Sequence, residues 1–127
     1  MEDATAERGQ IPMRKVVEIL RCEVLWGEEL LDSLLVRACF AADLMSDVLA
    51  YSDPGAVLIT GLTTVQSIHT ANVADLSAIL FVGGKRPAPD VYAMAEEKRI
   101  PVLVTPLSMQ EACNALRRNG MSAESRP

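Results

Sequence analysis

Apolar positions along the chain follow two rhythms. Met13, Val16, Val17 and Leu20 recur at helical spacing and share one stripe of a short helix. Residues 23–27 read as a short strand closed by a turn glycine, and residues 34–40 as a second strand. Helical spacing returns over 44–51 and stops at Asp53, Pro54 and Gly55, a turn signal. From Ala56 the alternation becomes regular. A strand over 56–60 precedes a polar helix to about Asp75, a strand over 78–82 precedes a helix from about Pro89 to Arg99, and a strand over 102–105 precedes a helix from about Met109 to Arg118.

Continuous apolar strands alternating with helices predict an α/β fold built from βα repeats: a small, mainly parallel sheet with helices on both faces, because such strands are buried on both sides. Ser108 and Glu111 form a capping box at the start of the last helix, and Thr63 to Gln66 predict a weaker one. Pro89 suits a first helical turn, where its missing N–H costs nothing. The polar, non-periodic stretches 1–11 and 119–127 are expected to be flexible tails around one domain over 12–118.

Composition narrows the function. The 127 residues are half hydrophobic and carry a formal charge of −5. Affinity for a nucleic-acid backbone comes from clustered Lys and Arg, so this acidic balance without a basic stripe argues against nucleic acid as a partner. Apolar runs of about five residues fall far short of the ~20 that span a bilayer, and the acidic N-terminus is no secretory signal; a cytoplasmic protein without a membrane partner is expected. Cys22, Cys39 and Cys113 are odd in number and widely spaced, which predicts buried thiols in a reducing compartment, with no disulfide framework and no metal site.

Most catalytic signatures fail on specific residues. Around Gly83, Gly84 and Lys85 a phosphate-binding P-loop needs a glycine at position 79 and Ser or Thr at 86; Ile79 and Arg86 stand there instead. No G-x-G-x-x-G or G-x-S-x-G occurs. His69 is the sole histidine, which removes any two-histidine metal centre, and no cofactor is implied. It shares a helical stripe with Val65, Ile68, Asn72 and Leu76, so His69 and Asn72 are secondary ligand candidates beside the plainer expectation of a half-buried, satisfied histidine.

What remains is an edge. Parallel strands would gather Thr60, Gly61, Thr63 and Thr64, then Gly83, Gly84, Lys85 and Arg86, then Thr105 and Ser108, at their carboxyl ends, where open α/β sheets place ligands. Hydroxyls, helix-start amides and two cations suit a small anion. Glycines and hydroxyls also recur at such turns for geometry alone.

Taken in order, Val57-Leu-Ile-Thr-Gly-Leu-Thr63, Thr70-Ala-Asn-Val-Ala-Asp75, Ala78-Ile-Leu-Phe-Val-Gly-Gly-Lys-Arg-Pro87 and Ile100-Pro-Val-Leu-Val-Thr-Pro-Leu-Ser108 resemble a DRTGG domain, and Asp43-Leu-Met-Ser-Asp-Val-Leu49 resembles the helix that precedes this core. The resemblance runs over residues 12–118. It implies a compact α/β module, found alone or joined to CBS regulatory pairs and phosphotransacetylases, similar in fold to the non-kinase N-terminal domain of HPr kinase/phosphorylase. The chain departs from the family pattern where Gly61, Leu62 and Thr63 replace an expected Asp-Arg pair, and where Val82 precedes Gly83 and Gly84 in place of threonine.

The sequence therefore predicts a non-catalytic regulatory or ligand-binding module, working as a homodimer, with a small anionic ligand or a larger metabolic enzyme as partner. A sensor of a nucleotide or phosphorylated metabolite at the strand ends is the second reading. An enzyme acting through Lys85, Asp75 or His69 is the third.

Overall fold

In the computed structural model, which describes residues 10–126, the chain runs through β1 (Ile11–Pro12), α1 (Met13–Leu20), β2 (Glu23–Trp26), a 3₁₀ turn (Glu28–Ser33), β3 (Leu35–Val36), β4 (Ala38–Ala41) and α2 (Met45–Tyr51). It continues through β5 (Val57–Thr60), α3 (Val65–Val73), β6 (Ala78–Phe81), α4 (Pro89–Lys98), β7 (Val102–Val104), α5 (Met109–Arg118) and β8 (Ser122–Ser125). Six strands form one sheet in the order β2-β7-β6-β5-β4-β8. All neighbouring pairs are parallel except β2, which runs antiparallel to β7 with Glu23 opposite Val104. β1 and β3 make a separate two-stranded ribbon.

Successive residues of a strand point to opposite faces, so each apolar run feeds two cores. Val57, Ile59, Ala78, Leu80 and Leu103 pack with α1 and α5. Leu58, Ile79, Phe81, Val102 and Val104 pack with α2, α3 and α4. This double burial is why the strands read as unbroken hydrophobic stretches. The parallel arrangement of β5, β6 and β7 puts their exits on one rim, as the sequence predicts.

Three expectations change. The strand over 34–40 is two strands: Leu35 and Val36 pair with β1, whereas Ala38 to Ala41 join the main sheet between β5 and β8. Exposed Arg37 marks the point where the chain changes partner. The stretch 119–127 contains β8, laid parallel to β4, with Met121 and Ala123 buried in the α1/α5 core. Its inward positions are few and its outward ones are Ser122, Glu124 and Ser125, so a short edge strand reads as a polar tail. Of the other expected tail, only Gln10 and Ile11 lie within the described residues, and Ile11 pairs with Val36.

The boxed start of α5 is present: Glu111 N–H donates to Ser108 Oγ at 3.1 Å, and Ser108 N–H donates to Glu111 Oε1 at 2.8 Å. The weaker box is not. Helix α3 takes Thr64 as its N-cap without a side-chain bond, so the third helical position falls on Ser67 and not on Gln66, and the Ser67 hydroxyl donates to the Leu62 carbonyl.

Candidate functional site

The strand exits carry most of the sequence-predicted residues, and the structure divides them by what their polar atoms already do. Thr60 and Thr105 end β5 and follow β7, and both side chains are fully buried. Thr105 Oγ1 donates to the Leu20 carbonyl at 2.6 Å and accepts from Leu107 N–H at 3.2 Å. Thr60 Oγ1 donates to Asp43 Oδ1 at 3.1 Å and accepts from Leu62 N–H at 3.1 Å. Each hydroxyl therefore closes its own turn and ties it to another element. Ser108 is likewise consumed by its cap.

In the Gly83–Arg86 loop the backbone amides are already taken. Gly83 N–H donates to Leu107 O at 2.7 Å, Gly84 N–H to Thr105 O at 2.8 Å and Lys85 N–H to Val82 O at 3.3 Å. The loop is stitched to the turn after β7, because the buried exits of adjacent parallel strands need partners for their backbone groups. Both glycines have positive φ, +68° and +69°, so this is a turn that only glycine makes without strain.

The two cations part company. Lys85 reaches over the exit of β5: a methyl placed on Gly61 would meet Lys85 Nζ at 3.3 Å and Asp43 Oδ1 at 3.4 Å. Asp43 Oδ1 also accepts from Gly61 N–H at 2.7 Å. Thr63 and Thr64 sit beside it at the start of α3. Arg86 turns the other way and forms a two-bond fork on Glu23, with Nη1 to Oε1 at 2.9 Å and Nη2 to Oε2 at 2.8 Å. These bonds hold the Glu23 carboxyl below its ordinary value of 4.5, opposed by desolvation and aided to a smaller extent by the charge of Arg86.

Beside this fork is a hollow of about 210 Å³ lined by Arg21, Glu23, Gly84, Arg86, Thr105 and Pro106. Arg21 is the left-handed cap of α1, with φ +54°, and it makes no ion pair among the described residues. Three larger hollows, of about 380, 330 and 450 Å³, lie at the amino ends of β4 and β5, between α1 and α5 where Arg21 also contributes, and between α5 and β8. None of the three is lined by any of the sequence-predicted rim residues, so the smaller hollow is the candidate site.

His69 and Asn72 lie on the exposed side of α3, whose buried side is Ser67, Ile68, Thr70 and Ala71. The half-buried histidine expected from the apolar stripe is corrected accordingly: Ile68 and Leu76 of that stripe are buried, but the buried side continues through Ser67, Thr70 and Ala71 and leaves His69 and Asn72 exposed. Lys85, Asp75 and His69 do not converge, since Asp75 precedes β6 and Lys85 follows it. Among the described residues no group of three or more His, Cys, Asp or Glu is suited to a metal ion, and none of their helices is long and apolar enough to cross a membrane. The sequence reading missed Arg21, Glu23 and Asp43. Arg21 and Glu23 sit at a helix-to-strand junction, and only the antiparallel placement of β2 brings that junction to the rim.

No curated protein matches the sequence. Among solved structures, the chain is similar to the CBS and DRTGG domains of the regulatory region of Clostridium perfringens pyrophosphatase, crystallised with the activator diadenosine tetraphosphate. The TM-score is 0.68 at 17% identity, covering 81% of this chain and 44% of that one, so this chain corresponds to less than half of the solved region. At that identity the likeness is one of fold. The family model described as DRTGG domain matches residues 15–119, nearly the whole αβ core, and the chain belongs to the DRTGG domain family.

Proposed function

We propose that this chain is a non-catalytic regulatory module that binds the phosphoryl group of a nucleotide or other phosphorylated metabolite in the hollow between Arg21 and Arg86. One observation carries the reading: two arginines, Arg21 and Arg86, line a concavity at the carboxyl ends of β6 and β7, the place where open α/β sheets hold ligands. At about 210 Å³ the hollow is smaller than the roughly 300–1,000 Å³ that enclose a drug-sized ligand. It fits an anionic headgroup whose remaining atoms extend over the rim. Arginine suits that role because its planar fork matches phosphate oxygens two at a time. The solved neighbour, crystallised with a nucleotide activator, makes a nucleotide the first class to try.

Within this reading the module works as a homodimer beside a larger metabolic enzyme. Exposed Leu44, Leu49 and Tyr51 along α2 and Val73 at the end of α3 support association, since large apolar side chains grouped on adjoining helices favour burial.

The test is a thermal-shift and calorimetric screen of nucleotides, diadenosine tetraphosphate and sugar phosphates, with sedimentation to read the mass. A ligand that binds only the folded chain raises stability by RT ln(1 + [L]/Kd). The expected result is a shift in the wild type that disappears in Arg21→Ala/Arg86→Ala, on a two-chain particle. A panel without a single shift, or a shift that survives the double substitution, overturns the site; a monomer at micromolar concentration overturns the dimer.

A further inference from the structure

The Arg86 fork is already filled. Glu23 places both carboxylate oxygens on it at 2.9 and 2.8 Å, the in-plane, two-oxygen arrangement that a phosphate would use. Yet the pair is at the surface: the Arg86 and Glu23 side chains are 54% and 59% exposed. An exposed pair contributes little to folding, and both groups stay hydrated when it opens. Glu23 is the first residue of the edge strand β2, so its side chain can swing off the rim without disturbing the sheet. Arg21 lines the same hollow and adds a second positive charge.

Resting on the phosphoryl-binding reading, we infer that Glu23 is a built-in competitor for the ligand, occupying the Arg86 fork until a dianionic phosphoryl group displaces it. The selectivity follows from charge. A carboxylate ligand offers Arg86 what Glu23 already offers, and Glu23 is tethered, so its effective concentration at the fork is on the order of millimolar or higher. A phosphoryl group carries about −1.5 to −2 at pH 7 with three acceptor oxygens, and it engages Arg86 and Arg21 together. The tethered carboxylate therefore sets a threshold that monoanions do not cross, which is discrimination by a competing state and not by added contacts. Arg86 is the binding residue and Glu23 acts through it.

The experiment is calorimetric titration of the full chain with inorganic phosphate, AMP and acetate, together with the NMR resonance of the Arg86 Nε–H. Phosphate and AMP separate a bare phosphoryl requirement from one that includes the nucleoside. Glu23→Gln is expected to bind phosphate about three- to tenfold more tightly than the wild type, a range set by the modest strength of an exposed ion pair plus the removed repulsion. Glu23→Asp keeps the charge and shortens the reach; it should also bind more tightly, which a general electrostatic effect of Glu23 does not produce. In an Arg86→Ala background the gain from Glu23→Gln should vanish, as a double-mutant cycle requires of two groups acting as one. In the wild type phosphate should move the Arg86 resonance and acetate should not. If Arg86→Ala abolishes binding but Glu23→Gln and Glu23→Asp match the wild type, the competitor is refuted while the pocket stands. If no variant binds phosphate or AMP at tens of millimolar, the pocket falls and the competitor with it.

Discussion

Thr105 separates a binding role from a structural one, because its hydroxyl has nothing left to offer a ligand. Its side chain is fully buried. The proton goes to the Leu20 carbonyl at 2.6 Å, and the oxygen accepts from Leu107 N–H at 3.2 Å. Leu20 closes α1, so its carbonyl is one of the helix-end acceptors without an intrahelical partner. Thr105→Val keeps the shape and orphans both groups. Leaving a buried donor or acceptor unmade costs about 1–3 kcal/mol each. The Leu107 amide is only partly buried and belongs at the low end, so the loss should be about 2–4 kcal/mol. At roughly 4 °C per kcal/mol for a domain of this size, Tm should fall by about 8–16 °C. Thr105→Ser keeps the hydroxyl and removes one methyl, at about 0.5–1.5 kcal/mol. Urea unfolding of the three proteins at constant slope reads the difference. Equal stabilities for the Val and Ser variants would refute the argument that this hydroxyl ties α1 to the sheet.

Two further outcomes follow from ionisation. Burial pushes the Cys22 thiol up to about 12, and burial, with smaller contributions from the neighbouring Cys113 and Cys22, pushes the Cys39 thiol up to about 12. The native thiols should resist alkylation at pH 8 and react on unfolding, because the thiolate is the nucleophile. Above the ordinary value of 9.0 the unfolded chain loses thiol protons that the native chain retains, so stability should fall as pH rises from about 9 toward 12; rapid native labelling would contradict this. Glu23 has its carboxyl held below 4.5 by the Arg86 hydrogen bonds. Whatever the pair contributes is present above the unfolded pKa and is lost as pH falls through the lower folded value. The Glu23 titration followed by NMR should therefore return toward 4.5 in Arg86→Ala, and an unmoved midpoint would show that the fork does not form in solution.

Much of the architecture was written in local pattern. The apolar runs at 57–60, 78–81 and 102–104 can only be strands buried on both faces, and the helices between them force a parallel sheet. The Ser108–Glu111 box and Pro89 marked their helix starts to the residue. Elements lacking such a signal were misread: β8 is a polar edge strand whose one buried residue, Ala123, joins the core with Met121 just before it only after α5 has crossed the sheet.

The chain alone thus determined the fold class, the common rim of strand exits and the residue types gathered on it, because hydrophobic periodicity and turn chemistry act over a few neighbouring residues. Tertiary structure decided which of those residues remain available. Thr60, Thr105, Ser108 and the loop amides are spent on neighbouring backbone and carboxylate groups, Lys85 leans over Gly61, and Arg86 meets Glu23 across 63 positions of sequence. Hydrogen bonds saturate and charges pair only when distant segments are brought within about 3 Å, and no local pattern records which partner that will be.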